Sequence, residues 1–256
     1  MVASRDALFA WIDETLEVSR YKDYSPIGLQ VEGAPAITKV ALGVSASMEL
    51  IEEAAAWGAE AILVHHGWFW RGEPQVFKGW RKERLKALLV HDISLGSYHL
   101  PLDGHPTLGN NALLCDLLGV PAGETARTPF AGRPPIGIVG RFEAPRPVEE
   151  LLAIIRAELR PNPLVFQSGP AEVQTIGVVS GGGAGYYEEA REQHGVEFFL
   201  TGEPREPTMA EARETKTHFV AAGHYDTETV GIKALGEAVE ANFEVEARFF
   251  SIPNPV

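Results

Sequence analysis

Cysteine is almost missing from this chain. Cys115 is the single thiol in 256 residues, which excludes an internal disulfide and a Cys-x-x-Cys thiolate metal site. Basic residues are scarce as well. With 22 Lys and Arg against 35 Asp and Glu, the formal charge is −13 and the pI about 5.1, the opposite of a surface that neutralises duplex phosphates. Nucleic acid is therefore disfavoured as a partner, although a small anion is compatible if a bound metal supplies local positive charge. No apolar run approaches the roughly 20 residues that cross a bilayer. The segment MVASRDALFAWIDETLEVS carries Asp6, Asp13 and Glu14 where a secretory signal would be apolar. The expectation is a soluble, cytoplasmic protein with no membrane partner. Its 45% hydrophobic content suffices for one large or two small domains.

Apolar periodicity alternates between strands and helices. Leu8, Phe9, Ile12 and Leu16 recur at helical spacing behind Ser4 as a candidate cap. ITKVALGV (37–44) reads as a buried strand, SASMELIEEAAAWG as a helix ended by Gly58, and AEAILV (59–64) as the next strand. A helix over 81–92, a strand ISLGSY and a helix LGNNALLCDLLG complete the first half near Gly119. Residues 120–135 are dense in Pro, Gly and Thr, which places a boundary there and gives lobes 1–125 and 126–256. The second lobe reads as strands IGIVGRF, VQTIGVVS, VEFFLTG, HFVAAG and VEARFFSI. Its helices are PVEELLAIIRAEL, AGYYEEAREQHG, one from about Glu206 and one from Thr227 to about Asn242.

One stretch repeats. ALGVSASMELIEEAAAWGAEAILVHHG aligns with TIGVVSGGGAGYYEEAREQHGVEFFLTGE, allowing about two residues of indel, so His65-His66 corresponds to Gly202-Glu203. The fold class expected is α/β, with two similar α/β lobes in a layered α-β-α arrangement and a metal site at the strand ends between them.

Three strand ends carry metal-type donors. AEAILV runs straight into His65 and His66. ISLG leads into SYHLPLDGH with His99 and Asp103, a segment expected to be extended or turning because it contains Pro101. HFVAAG leads to His224, with Thr227 as the expected cap and Glu228 in the first turn of the last helix. Imidazole and carboxylate together suit zinc, manganese and iron. Each cluster also has a bland reading: a polar loop for the paired histidines, a structural role for His99, and a helix N-terminus stabilised by Glu228.

LVHHGWFW, SYHLPLDGH, TGEPRE and GHYDTE, in this order, resemble the Nif-three-like family, whose shorter bacterial members carry the name GTP cyclohydrolase I type 2 homologue. The likeness covers nearly the whole chain, without the inserted domain of longer members. It implies a dinuclear site for two divalent ions (zinc, manganese or iron) with ligands His65, His66, Asp103, His224 and Glu228, the two acids bridging. His99 matches the histidine before the aspartate and is the implied candidate for proton transfer or for support of a ligand. It also implies a ring-shaped homohexamer and a nucleotide-like substrate, with GTP ring opening and formate release as the named chemistry. The rival is a non-catalytic metal-binding ring scaffold or regulatory protein. Gly67 stands where many relatives have Pro, and either residue permits a sharp turn.

Three further features remain open. VVSGGGAGYY matches neither the dinucleotide fingerprint nor a P-loop, yet Gly182 and Gly183 lie where a strand-to-helix turn can cradle phosphate. Glu203 could contact substrate, support a ligand or cap the next helix. Trp68, Phe69 and Trp70 could stack on a flat base or fill a hinge or subunit contact. Cys115, within ALLCDLLG, reads as a core residue and not a nucleophile.

Overall fold

The computed structural model describes residues 2–74 and 76–256. In chain order it contains β1 (Ala3–Ser4), α1 (Arg5–Thr15), β2 (Gly28–Val31), β3 (Ala36–Ile37), β4 (Lys39–Ser45), α2 (Met48–Trp57), β5 (Ala61–His66), α3 (Trp80–Val90), β6 (Ser94–Ser97) and α4 (Leu100–Gly104). There follow α5 (Asn110–Leu117), β7 (Arg127–Phe130), β8 (Gly137–Pro147), α6 (Val148–Glu158), β9 (Leu164–Phe166), β10 (Glu172–Val179) and α7 (Tyr187–His194). The chain finishes with β11 (Phe198–Thr201), α8 (Thr208–Thr215), β12 (His218–Ala221), α9 (His224–Asn242) and β13 (Glu246–Phe249). The α/β class expected from the alternation is what the chain adopts.

Two compact units form. The first comprises Met1–Leu102 with Gly231–Pro253, the second Asp103–Val230 with Asn254–Val256. This partition differs from the contiguous split at 125/126. β13, late in the sequence, pairs in parallel with β4 and so belongs to the first unit. Leu114, Cys115 and Leu118, at α5, pack with Phe142 of β8 and Leu151 of α6 in a core of the second unit. Burial of apolar faces thus overrides the Pro- and Gly-rich stretch as the determinant of the boundary.

In the first unit the sheet order is β13-β4-β5-β6-β2, with β4, β5 and β6 parallel and β2 antiparallel to β6. β4 and β5 are nearly continuous apolar runs, as a strand covered on both faces requires. Leu50, Ile51 and Ala54 of α2 pack with Ile62, Val64 and Leu95 of the sheet. α2 starts where the Ser47 hydroxyl accepts from the Leu50 N–H at 3.1 Å, a cap worth about 1 kcal/mol. Ser4, the cap expected for α1, makes no such bond.

In the second unit the order is β7-β8-β10-β11-β12-β9, with β10, β11 and β12 parallel and β8 and β9 antiparallel to their neighbours. The repeat seen in the sequence is therefore a repeat of structure. Each unit has three parallel strands in chain order with an antiparallel strand beside the third. Phe199 and Phe219 stack at 5.8 Å on one side of the second sheet, with Tyr187 edge-on to both.

Cys115 is fully buried, and that burial pushes its thiol up to about 12. The thiolate is the reactive form, so a thiol reagent at pH 8 is expected to leave the folded protein untouched and to titrate one thiol after denaturation. Rapid labelling of the folded chain would contradict this core placement.

Candidate metal centre

The first unit brings together His65, His66 and His99. Parallel pairing sets Ser45 opposite His66, and that register lets the Ser45 hydroxyl meet His66 Nδ1 at 3.1 Å. His65, fully buried, donates Nδ1–H to the Tyr98 carbonyl at 2.9 Å. His99 Nδ1 lies 2.8 Å from Asp23 Oδ1. Each ring thus has Nδ1 committed to an oxygen, an arrangement that directs Nε2 to ligation and is usual for metal-binding histidines. The rings lie 4.7, 5.0 and 5.5 Å apart between centroids. One ligating atom from each can be chosen so that all three fall within 4.8 Å of one another.

Asp23 is the least expected member of this group. Its carboxylate also accepts from the backbone N–H groups of Tyr24 at 2.6 Å and Leu100 at 2.9 Å. Burial works to raise its pKa, but His99 and these N–H groups outweigh burial and hold it below the usual carboxylate value. The result is an ionised acid fixing one imidazole.

The second unit holds its own group of carboxylates with an imidazole among them. Asp103 is buried, and its Oδ1 accepts from Asn110 Nδ2 at 2.9 Å and Ser180 Oγ at 2.8 Å. Asn111 braces the same corner through the Asp103 carbonyl, the Ile136 carbonyl and the Ser180 N–H. His224 opens α9, so Glu228 follows one turn later on the same helix, with His224 Nε2 and Glu228 Oε1 3.2 Å apart. His224 Nδ1 is closely paired with Glu203. Burial works to lower the His224 pKa, but Glu228 and then Glu203 outweigh it and push it up to about 9.

Glycine makes room for these acids. Gly181 has φ +58°, and a Cβ there would stand 2.2 Å from Glu228 Oε1 and 3.0 Å from His224 Nε2. Its N–H donates to Thr227 Oγ1, and its carbonyl accepts from Gly202 and Glu203. Gly183 is buried against Val179 and Thr201, and Gly182 is exposed. Gly67 has no space either: its Cβ would lie 2.4 Å from Gln30 Oε1 and 2.5 Å from Ser97 Cβ. The absence of a side chain at Gly67 thus lets this turn pack closely between Gln30 of β2 and Ser97 of β6.

Several expectations are corrected by the geometry. Both histidines of the pair lie within β5, and the turn comes after them. The Pro101 segment is the short helix α4 and not extended, because a proline in the first turn gives up an N–H that has no intrahelical partner anyway. Thr227 lies inside α9 and is not its cap; its hydroxyl donates to the Gly223 carbonyl. Glu203 contacts His224 and does not cap α8, whose N-terminus has Pro207 with Thr208 Oγ1 accepting from Arg205 N–H. Ser45, Asp23, Asn110, Asn111 and Ser180 were not singled out. The only sequence trace of them is the adjacent asparagine pair at the start of a helix that is otherwise apolar but for Asp116.

Imidazoles with anchored Nδ1 atoms in the first unit, and buried carboxylates set by amide and hydroxyl donors in the second, are each donors of the kind a first-row divalent metal accepts. These features define a class: an α/β protein with metal-type donors at the carboxyl ends of parallel strands. Within that class the chain belongs to the Duf34/NIF3 (NGG1p interacting factor 3) family, which it matches over residues 3–255. It is 44% identical over 245 residues to an Escherichia coli K12 protein named GTP cyclohydrolase 1 type 2 homolog, covering 95% of this chain and 96% of that one. A Yersinia pestis protein of the same name is 43% identical over 254 residues, with the same shares covered. Among solved structures, protein ybgI, described as of unknown function, superposes with TM-score 0.90 at 42% identity, covering 99% of this chain and 100% of the other. TTHA1606 from Thermus thermophilus also gives 0.90, at 33% identity and the same coverage.

Two outcomes are expected. Gly181→Ala drives a methyl group into Glu228 and should weaken manganese binding by about 10-fold or more, as loss of supporting contacts does at other sites. Equilibrium dialysis checks this, and unchanged affinity would refute the packing argument. Metal that reaches His224 must also displace a proton held up to about pH 9, so affinity should rise with pH below that value and level off above it. Calorimetry at pH 7.5 in two buffers of different ionisation enthalpy should register proton release; none would contradict ligation by His224.

Proposed function

We propose that the protein is a dinuclear metal-dependent hydrolase of a nucleotide-like small molecule, of the GTP cyclohydrolase I type 2 kind, opening the imidazole ring of GTP with release of formate. His65, His66, Asp103, His224 and Glu228 would hold two divalent ions, zinc, manganese or iron. The observation that carries this reading is the shared anchoring of Nδ1 in His65, His66, His99 and His224. When bound, a divalent pair supplies Lewis acidity and brings the pKa of coordinated water toward neutrality.

The chain's own residues have distinct tasks. His99, gripped by Asp23, is placed to take up and return a proton as the ring opens. Ser45 and the Tyr98 carbonyl keep His66 and His65 from rotating. Gly182 and Gly183, in the turn from β10 to α7, and Glu203, just after β11, are the candidate substrate contacts, with Glu203 also orienting His224.

Among the described residues no helix is long and apolar enough to cross a membrane. With a single thiol, the composition suits a reducing cytosol. Assembly as a homohexameric ring is part of the same reading, supported by the family likeness.

The test is formate release from GTP by anaerobically purified protein loaded separately with manganese, iron or zinc, beside Glu228→Gln. Metal-dependent turnover that falls by at least about 100-fold in the variant is expected, the scale of losing one electrostatic catalytic contact. Metal binding without formate would reject GTP ring opening and favour a non-catalytic metal-binding ring scaffold.

A further inference from the structure

A cavity of about 280 Å³ opens beside His66 in the first unit. That volume is near the lower end of small-molecule sites, roughly 300–1,000 Å³. Its walls include Trp68, Trp70, Phe77, Trp80, Arg81 and Arg84, so three of the chain's five tryptophans face one space. Hydrogen bonds fix the aromatic wall. The Trp68 ring N–H donates to the Ala46 carbonyl, and that of Trp70 to the Gly67 carbonyl. Phe69 takes a left-handed conformation, φ +67°, rare for a bulky side chain. It meets Phe77 edge-on at 5.8 Å.

The charges are unusual for so acidic a protein. The Arg81 and Arg84 guanidinium groups lie 4.2 and 4.7 Å from the Trp80 ring centroid. Arg81 reaches Glu73 at 3.4 Å. Arg84 has no carboxylate within ion-pairing distance among the described residues, and partial burial together with Arg81 lowers its pKa. Glu73, which also lines the cavity and reaches Arg81, attracts Arg84 only at longer range, so this half-buried guanidinium keeps its donors for an anion, since guanidinium forms charge-assisted bonds with phosphate or carboxylate. Flat apolar walls call for a flat ring. Trp70 connects this space to the histidines, lying 5.9 Å from the His66 ring and 5.1 Å from that of His99.

We propose that this cavity binds a planar aromatic or heteroaromatic compound carrying a phosphate or carboxylate, its ring against the tryptophan wall and its anion on Arg84, which sets the compound beside His66. The assignment of His66 to a metal rests on the proposed function; the cavity's own chemistry does not.

The test is a tryptophan-fluorescence titration of the full chain, metal-stripped and manganese-loaded, with metal content measured on the same samples. The probes are guanosine monophosphate and quinoline-2-carboxylate, against uncharged guanosine and quinoline and against inorganic phosphate. At least one anionic ring should quench saturably, and which one does distinguishes phosphate from carboxylate. The uncharged rings and phosphate alone should bind at least about 10-fold more weakly, the scale of a lost charged hydrogen bond. Arg84→Gln should lose that factor for the anionic ring only, and Arg84→Lys should keep part of it, both at unchanged melting temperature. Equal binding of charged and uncharged rings, or an Arg84→Gln variant that binds like the parent, would overturn the proposal. So would a surface that responds only by self-association in sedimentation. If the anionic ring binds while no metal is held, the cavity stands and the metal reading falls; metal held without ring binding gives the reverse.

Discussion

An imidazole ligates a metal best when its other nitrogen is held, and the hydrogen bonds to Nδ1 of His65, His66 and His99 in the first unit and of His224 in the second are the interactions on which the proposed ligation depends. Their partners come from ordinary features of the fold. Ser45 stands opposite His66 because β4 and β5 pair in parallel at that register. The Tyr98 carbonyl reaches His65 because β6 runs beside β5 and ends at Ser97, the partner of Val64, so that Tyr98 follows beside His65. Asp23 arrives from the segment before β2 and is kept ionised by His99 and two backbone N–H groups. A one-residue slip of β4 would turn Ser45 to the other face and release His66.

The second unit meets a harder electrostatic requirement. It buries Asp103 and Glu228, with Glu203 nearby, in a chain of net charge −13. Buried carboxylates need compensation. Asp103 receives it from Asn110 and Ser180, and Glu228 from a His224 whose pKa is pushed up to about 9. That protonated imidazole is a stand-in for positive charge, and a divalent cation would replace it with release of the proton. The glycines at 181 and 202 let two backbone segments close to van der Waals contact around these groups.

Much of this was legible in the sequence where the signal is periodic or local. The β-α-β repeats, the strand-end histidines and the buried Cys115 follow from apolar runs and their punctuation. The unit boundary was not, because the pairing of β13 with β4 spans some 200 residues and leaves no local mark. α4 was missed because Pro101 argues against a helix interior, whereas here it occupies the first turn. Asp23, Ser45 and Ser180 were invisible for another reason. Each acts by tertiary placement alone, and isolated acids and serines are common on any surface. The asparagine pair at 110–111 was the exception: two adjacent buried amides in an apolar helix are costly unless they hold something.

The central claim is that these side chains ligate metal through Nε2 while the fold holds Nδ1. Anomalous diffraction at the manganese edge from reconstituted crystals tests it most directly. The account predicts metal peaks at about 2.0–2.3 Å from Nε2 of His65, His66 and His224 and from carboxylate oxygens of Asp103 and Glu228. Peaks elsewhere, ligation through Nδ1, or no ordered metal after reconstitution would contradict it.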